Sequence, residues 1–141
     1  MFLPLLTDAD FFLEPLDVGL FPGIDSEMEV HNGFAKAHAE HVLLPFINVN
    51  TTAKDVLASV KTALQQSGFN QVTIVGHSLG AALAVLDGVY LPLNLPGVNF
   101  RTIGYGMPRV GNQAFAGYVD ANVPLTRITN KNDVVPILPG T

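Results

Sequence analysis

The chain has no cysteine, so it can form neither a disulfide nor a thiolate metal site. Charged residues are also scarce, at 13% of the 141 residues against about a quarter in an average soluble domain. The seven lysines and arginines are scattered and the formal net charge is −5, which argues against a nucleic acid or an anionic membrane surface as partner. No apolar run approaches the roughly 20 residues that span a bilayer.

The N-terminus lacks the marks of a secretory signal. Its first residues, MFLPLLTDADFF, are apolar, but no basic residue precedes them, and acidic residues occur at Asp8 and Asp10. Hydrophobic residues make up 48% of the chain and the mean hydropathy is +0.35. Such a chain is either largely buried in a parallel sheet or part of something larger. We expect one domain over residues 1–141.

The C-terminal two thirds of the chain alternates strand-like and helical patterns, which favours a doubly wound parallel sheet with crossover helices. A proline at position 15 restricts residues 11–15 to an edge strand, and a helix over 35–44 must end before Pro45. The later predicted elements are a helix at 51–67 capped by Thr51 or Thr52, a strand at 71–75, a turn at 76–80, a buried helix from 81, a strand at 98–105, a helix at 112–120 and a strand at 125–129.

The residues Gly76-His77-Ser78-Leu79-Gly80 match the nucleophile elbow G-x-S-x-G. The pattern is weak alone, but here the strand VTIV precedes it and the small-residue helix AALA follows it. A serine on a sharp strand-to-helix turn needs small residues two positions before and after it. We therefore predict Ser78 as a nucleophile and the Leu79 N–H as an oxyanion donor; the alternative is a purely structural Gly-Ser turn.

A serine nucleophile needs a base, and the base needs an orienting carboxylate. Asp133 is the predicted acid because it lies in the loop after the strand at 125–129, whereas Asp87 and Asp120 lie in predicted helices. His77 adjoins the nucleophile in sequence, so we assign it a packing or hydrogen-bonding role rather than that of the base. All four histidines precede Asp133, namely His31, His38, His41 and His77. A catalytic histidine in the usual order is therefore not present.

These residues together resemble the fungal class 3 lipases, a family of triacylglycerol lipases that also includes feruloyl esterases. The matching segments are VHNGF at 30–34, VTIVGHSLGAALA at 72–84, GYGMPRVGN at 104–112 followed by Phe115, and RITNKNDVVPILP at 127–139. The resemblance implies a partial α/β-hydrolase fold, a mostly parallel central sheet flanked by helices, with Ser78 as nucleophile, Asp133 as acid and Leu79 as one oxyanion donor.

The resemblance also marks what this sequence lacks. The family's histidine would follow Leu138-Pro139, and its second oxyanion donor, early strands and lid would precede the region of Thr7 to Asp17. The segment 42–50 looks inserted, with Pro45 interrupting a helix that is continuous in the family. We therefore expect a fragment or truncated gene product that lacks the N-terminal strands and the C-terminal segment.

The resemblance implies a carboxylic ester hydrolase, and we expect a triacylglycerol lipase that forms an acyl-enzyme on Ser78 in the full-length protein. The chain as given is expected to be nearly inactive. The alternatives are a non-catalytic fragment or pseudoenzyme that binds a partner, and an esterase for feruloyl or other soluble esters. We expect no metal or organic cofactor, a lipid or other ester substrate at a lipid–water interface, no nucleic acid and no stable protein partner, and, by family, an extracellular location.

Overall fold

The computed structural model describes residues 12–40 and 53–139. Short strands and a helix lie at the N-terminal end, and a second helix leads into an alternating strand–helix unit. In chain order the elements are β1 (Leu13–Pro15), β2 (Glu29–His31), α1 (Asn32–Glu40), α2 (Ala53–Ser67), β3 (Gln71–His77), α3 (Leu79–Asn94), β4 (Asn99–Tyr105), α4 (Gln113–Asn122), β5 (Leu125–Ile128) and a 3₁₀ turn (Val135–Ile137).

The central sheet consists of β3, β4 and β5 in that order, and all three strands are parallel. The register pairs His77 with Tyr105 and Tyr105 with Ile128, so the carboxyl ends of the three strands meet at one edge. The predicted parallel α/β architecture is confirmed. A separate antiparallel pair joins β1 to β2, and Pro15 lies on this outer ribbon as its missing N–H requires.

Both crossover helices lie on one face of the sheet. α3 packs against β3 and β4, and α4 contacts α3. In the sheet, β4 lies beside β3 and β5 lies beside β4, so the strand order runs in one direction. Right-handed crossovers between strands in such an order place successive helices on the same face of the sheet. The opposite face is open among the described residues: Val75 is 60% exposed, Tyr105 41% and Ile128 42%. The predicted doubly wound plan, with helices on both faces, is therefore not formed by this part of the chain.

α3 is the central helix of the core, as its nearly continuous apolar sequence predicts. Its residues Ala81 to Leu86 are all buried, and Leu86 is fully inaccessible. The helix approaches the sheet closely at Gly88, where a Cβ would lie 2.7 Å from the Thr102 hydroxyl oxygen. A larger residue at this position would push the helix off β4.

α2 is the amphipathic helix that its spacing predicts. Its apolar residues Val56, Leu57, Val60 and Leu64 are half-buried, and the residues between them are mostly exposed. The helix ends at Ser67, and Gly68 follows in the left-handed region with φ 72° and donates its N–H to Leu64 O. The predicted caps Thr51 and Thr52, Pro45 and the segment 42–50 lie outside the described residues.

Several element bounds differ from the prediction. α1 begins at Asn32, earlier than expected, and the predicted residues 41–44 lie outside the described residues. β2 was not predicted, because three residues are too few to show an alternating pattern. β3 continues through His77 and α3 begins at Leu79, so the turn at the elbow is a single residue.

Candidate active site

Ser78 is the single residue between β3 and α3. Its backbone has φ 53° and ψ −122°, the only positive φ among the described non-glycine residues. Its N–H donates to Tyr105 O at 2.9 Å, and its carbonyl accepts from the Ala81 N–H at 2.9 Å. The side chain does not cap the helix, so these backbone bonds hold the strained turn and leave the hydroxyl uncommitted to it.

The glycines on either side of Ser78 differ in their steric role. A Cβ at Gly76 would collide with the Gly80 carbonyl group and would lie 2.7 Å from Ala81 Cα. These are backbone atoms, so nothing can move aside, and only glycine fits at position 76. A Cβ at Gly80 would meet no described atom within 4 Å. The expected need for a small residue is therefore met at Gly76 and is wrong for the side-chain space at Gly80.

Asp133 lies in the loop after β5, as predicted. Its backbone N–H donates to Asn130 O at 3.0 Å, and its Oδ1 accepts the Val135 N–H at 3.0 Å. The carboxylate is thereby tied to the start of the 3₁₀ turn (Val135–Ile137) through one oxygen. The second oxygen is directed toward Gly106, because Oδ2 lies 2.6 Å from the place that a Cβ there would occupy.

Gly106 makes room for this carboxylate at the end of β4. Its φ is 53°, in the left-handed region that favours glycine, and its N–H donates to Ile128 O at 2.9 Å. No sequence pattern predicted a role for Gly106, or for Val135, which binds the Asp133 carboxylate through its N–H. A glycine after a strand is one signal for such a turn, and an aspartate two residues before a backbone donor is another.

Ser78 and Asp133 open onto the same cleft, which has a volume of about 320 Å³. The N-terminal residues Leu79 and Gly80 of α3 also line it, with amide groups that have no partner within the first turn of a helix. Such amides favour negative charge on a bound oxygen. The full lining is His77, Ser78, Leu79, Gly80, Gly106, Asp133 and Val135.

His77 has an exposed side chain and lines this cleft. Its Nε2 lies 3.9 Å from the place that a Cβ of Gly106 would occupy, near Asp133, yet no ion pair joins His77 and Asp133 in the described ranges. This exposure does not fit packing, the first of the two roles predicted for His77, whereas the second, hydrogen bonding, stays a prediction. The structure thus brings His77 to the cleft without giving it the carboxylate partner of a triad base.

Two other histidines are buried away from the cleft. His31 is 9% exposed in β2 and packs edge-on against Phe34, with ring centroids 6.1 Å apart. His38 is 1% exposed in α1, and its Nε2 lies 2.9 Å from Asp87 Oδ1 in α3. Asp87 is therefore a helix residue outside the cleft, as predicted; Asp120 lies in α4. His41 lies outside the described residues.

Within residues 12–40 and 53–139, no helix is both long enough and apolar enough to cross a bilayer. No cluster of three histidine, aspartate or glutamate side chains with the geometry to hold a metal ion occurs in the same ranges.

Known proteins with similar sequences are secreted lipases and related enzymes. The chain is 34% identical over 113 residues to "Secreted mono- and diacylglycerol lipase MDL2" of Malassezia globosa, covering 79% of this chain and 34% of that protein. It is 33% identical over 118 residues to "Lipase" of Rhizomucor miehei, covering 81% of this chain and 30% of that protein. The chain thus spans about a third of the length of these relatives.

Solved structures of fungal lipases have the same fold as this chain. Lipase II from Rhizopus niveus superposes with a TM-score of 0.80 at 30% identity, over 99% of this chain and 48% of that one. A triacylglycerol lipase described as having a serine protease triad superposes with a TM-score of 0.77 at 29% identity, over 97% of this chain and 47% of that one.

A family model described as "Lipase (class 3)" matches residues 2–141, nearly the whole chain. The match includes the strained elbow at Ser78 and the loop that carries Asp133. The chain belongs to the class 3 lipase family.

Proposed function

We propose that this chain carries the nucleophile, the acid and one oxyanion donor of a carboxylic ester hydrolase that acts on lipid esters. The observation that carries the proposal is the shared cleft: Ser78, held at φ 53° at the start of α3, opens onto the same cavity as Asp133. Backbone strain of this kind persists where the surrounding structure over-determines it, and it is typical of functional residues. Family membership supports the same chemistry.

In the proposed reaction, Ser78 Oγ attacks the ester carbonyl carbon while a base takes its proton. The Leu79 N–H stabilises the oxyanion of the tetrahedral intermediate. The base returns the proton to the leaving alcohol, and an acyl-enzyme forms on Ser78. Water then attacks the acyl carbon with the help of the same base, which releases the carboxylic acid and restores the hydroxyl.

We further propose that the base is a histidine other than His31, His38 and His77. His31 and His38 are buried outside the cleft, and His77 has no ion pair with Asp133. The Asp133 carboxylate is oriented for such a partner, because the Val135 N–H binds its Oδ1 and its Oδ2 lies on the cleft side. Without its base, a serine hydrolase loses on the order of 10⁶ in kcat.

Chemical rescue tests the proposal. The chain would be assayed with a short p-nitrophenyl ester, with and without added imidazole, beside Ser78→Ala and Asp133→Asn. Imidazole is small enough to enter a cleft of about 320 Å³ and to act as the base there. Without imidazole, we expect a very low rate of hydrolysis. With imidazole, the wild-type chain should hydrolyse the ester at least about 10-fold faster than Ser78→Ala does, since a positioned base contributes roughly 10² or more.

Two outcomes would contradict parts of this proposal. Equal rates for wild type and Ser78→Ala, with both folded, would remove Ser78 as nucleophile. Full activity without imidazole, lost in Ser78→Ala, would show that a base is already present in the chain, and His77→Ala and His41→Ala would then identify it. Labelling of Ser78 by a fluorophosphonate in the presence of imidazole provides an independent readout, because labelling requires an activated serine.

The substrate and the location are part of the proposal. Relatives named as secreted mono- and diacylglycerol lipases support a glyceride substrate and an extracellular location. A soluble ester such as a feruloyl ester is the second candidate. A comparison of kcat/KM for glyceride and feruloyl esters in the active protein decides between them.

A non-catalytic role is the second candidate function. The open sheet face, with Val75 60% exposed beside Tyr105 and Ile128, favours it as a surface for a protein partner. Absence of both imidazole rescue and fluorophosphonate labelling in the folded chain would support this alternative.

A further inference from the structure

A second cavity lies between α4, the loop after β4 and the strand β5. It has a volume of about 140 Å³. Its lining shares no residue with the lining of the Ser78 cleft. The fold therefore contains two separate spaces that can hold a ligand, and the reaction proposed above uses only the first.

The floor of this second cavity is apolar. Met107, Val110 and Phe115 line it, and all three are buried members of the hydrophobic core. Core side chains of this kind are held in place by close packing, so the floor has a fixed shape. An apolar floor favours an alkyl group, because contact with it removes that group from water.

Two of the three arginines in the chain line the same cavity. They are Arg109 and Arg127, and both are exposed, whereas the third, Arg101, lies outside the cavity. The Arg127 Nη2 donates to Met107 O at 3.2 Å, which places its guanidinium at the cavity wall. Within the described residues, no ion pair joins Arg109 or Arg127 to a carboxylate.

The charge at this cavity is opposite in sign to that of the whole chain. Asp120 is the one acidic residue in a lining that holds two arginines, whereas the formal net charge of the chain is −5. A guanidinium presents its N–H groups in a planar fork that matches the two oxygens of a carboxylate. The second cavity thus combines donors for an anion with a floor for an alkyl chain.

We propose that the second cavity binds a small alkyl carboxylate, with the carboxylate between Arg109 and Arg127 and the alkyl chain on the apolar floor. An apolar cavity of about 150 Å³ can hold benzene, which has about six heavy atoms. Butyrate has the same number and therefore fits the volume of this cavity. The hydrolysis proposed above releases carboxylic acids, so it would supply ligands of this class, but the binding itself does not depend on that reaction.

The test is an NMR titration of the ¹⁵N-labelled chain with sodium butyrate near neutral pH. We expect saturable chemical-shift changes at the amides of Val110 and Phe115, from which a Kd is obtained. Two control ligands each carry half of the recognised chemistry: n-butanol has the alkyl chain without the charge, and inorganic phosphate has the charge without the chain. Each should bind about 10-fold more weakly than butyrate.

Three substitutions assign the contacts. The Arg109 side chain makes no hydrogen bond within the described residues, so Arg109→Gln should leave the fold intact and raise the Kd for butyrate about 10-fold. Ala116 is exposed on α4 and lines the cavity, so Ala116→Leu should fill it and raise the Kd about 10-fold or more. Arg101→Gln is the matched control outside the cavity, and should change the Kd less than about 2-fold.

Four outcomes would overturn the proposal. The first is an unchanged Kd in folded Arg109→Gln, and the second is equal affinity for butyrate and either control ligand. The third is a set of shift changes confined to the Ser78 cleft. The fourth is tighter binding of N-acetylvaline than of butyrate, which would assign the site to the carboxyl end of a peptide chain instead of a free acid.

The titration is independent of the proposed function. Ser78→Ala, which abolishes the proposed hydrolysis, should bind butyrate in the second cavity with the Kd of wild type. A failure of the hydrolysis assays would therefore leave this result unchanged, and a failure of butyrate binding would leave Ser78 as the proposed nucleophile. Equal unfolding midpoints of all variants would confirm that loss of folding is not the cause of weaker binding.

Discussion

At the level of single residues, the position of the Asp133 carboxylate depends on Gly106. The glycine has φ 53°, and its missing side chain leaves the room that Asp133 Oδ2 occupies. The Val135 N–H holds the other carboxylate oxygen at 3.0 Å. The carboxylate position therefore depends on one glycine and one backbone donor, and neither is a titratable or nucleophilic residue.

Gly106→Ala should displace the Asp133 carboxylate, because its Cβ would lie 2.6 Å from Oδ2. We expect a loss of about 1–2 kcal/mol in the free energy of unfolding from the positive φ and the collision. We also expect the imidazole-assisted rate to fall by about 10-fold or more, since the acid no longer orients the base.

Gly97→Ala is the matched control for this prediction. Gly97 has φ 86°, and a Cβ there would meet no described atom within 4 Å, so the change imposes backbone strain without a collision. It should cost about 1 kcal/mol and leave the rate unchanged. Equal rates for Gly106→Ala and Gly97→Ala would show that the Asp133 position does not depend on Gly106.

At the element scale, Asn112 joins the antiparallel ribbon to α4. Its Oδ1 accepts the Phe115 N–H at 2.9 Å as the N-cap of α4 and the Glu29 N–H at 3.3 Å. Its Nδ2 donates to Glu27 O at 2.8 Å, and its backbone N–H donates to Glu29 O at 2.9 Å. One side chain therefore fixes both the start of a helix and the position of β2.

Asn112→Ala should lower the free energy of unfolding by about 2–3 kcal/mol, the sum of a lost N-cap and two further side-chain hydrogen bonds. Asn122→Ala is the control in the same helix: its Nδ2 donates only to Tyr118 O at 2.9 Å, and it is exposed. It should cost less than about 0.5 kcal/mol. Urea unfolding measures the free energy of unfolding of both variants. Similar losses in the two would contradict the conclusion that Asn112 fixes both the start of α4 and the position of β2.

A buried aromatic cluster joins α1 to α3. The rings of Phe21, His38 and Tyr90 lie with centroids 5.4–5.8 Å apart, and Asp87 binds His38. Burial raises the pKa of the Tyr90 phenol above its usual 10.0, and the negative charge of Asp87 raises that pKa further. The folded protein therefore keeps the Tyr90 proton at a pH where the unfolded chain loses it.

This shift predicts a stability loss in alkali. A group whose pKa is raised by folding contributes its stabilisation fully below its unfolded pKa of 10.0, and that stabilisation is lost as the pH rises through the folded pKa. As the pH rises above about 10, the free energy of unfolding should fall more steeply for wild type than for Tyr90→Phe, by up to about 1.4 kcal/mol per pH unit.

Asp87→Asn is the second arm of this experiment, since it removes the smaller of the two causes. The slope of its free energy of unfolding against pH should lie between the slopes of wild type and Tyr90→Phe. Identical pH slopes for wild type and Tyr90→Phe in urea titrations would contradict the proposed role of Tyr90.

At the scale of the whole molecule, the sheet is covered on one face and open on the other among the described residues. α3 buries its apolar side chains against β3 and β4, whereas Val75, Tyr105 and Ile128 remain exposed on the far face. Exposed apolar surface of this kind is typical of surfaces that contact other parts of a protein or a partner. The chain spans less than half the length of the lipase structures that share its fold.

The alternating elements from residue 53 onward were predictable from sequence because their causes are local. Strand and helix periods, the glycine after α2 and the apolar sequence of α3 act over a few residues each. The elbow was predictable for the same reason: Gly76 and Ser78 meet a steric requirement within one turn. Such patterns could not predict the three-residue strand β2 or the single-residue turn at Ser78.

Local sequence patterns were thus sufficient to predict the family, the parallel α/β architecture and Ser78 as the candidate nucleophile. Three features depend on contacts between distant residues and were visible only in the folded chain: the shared cleft of Ser78 and Asp133, the room that Gly106 leaves for the carboxylate, and the pairing of His38 with Asp87. These contacts follow from the register of β3, β4 and β5, which places loops far apart in sequence at one edge of the sheet. Periodicity predicts that strands exist, but only their packing specifies which loops meet.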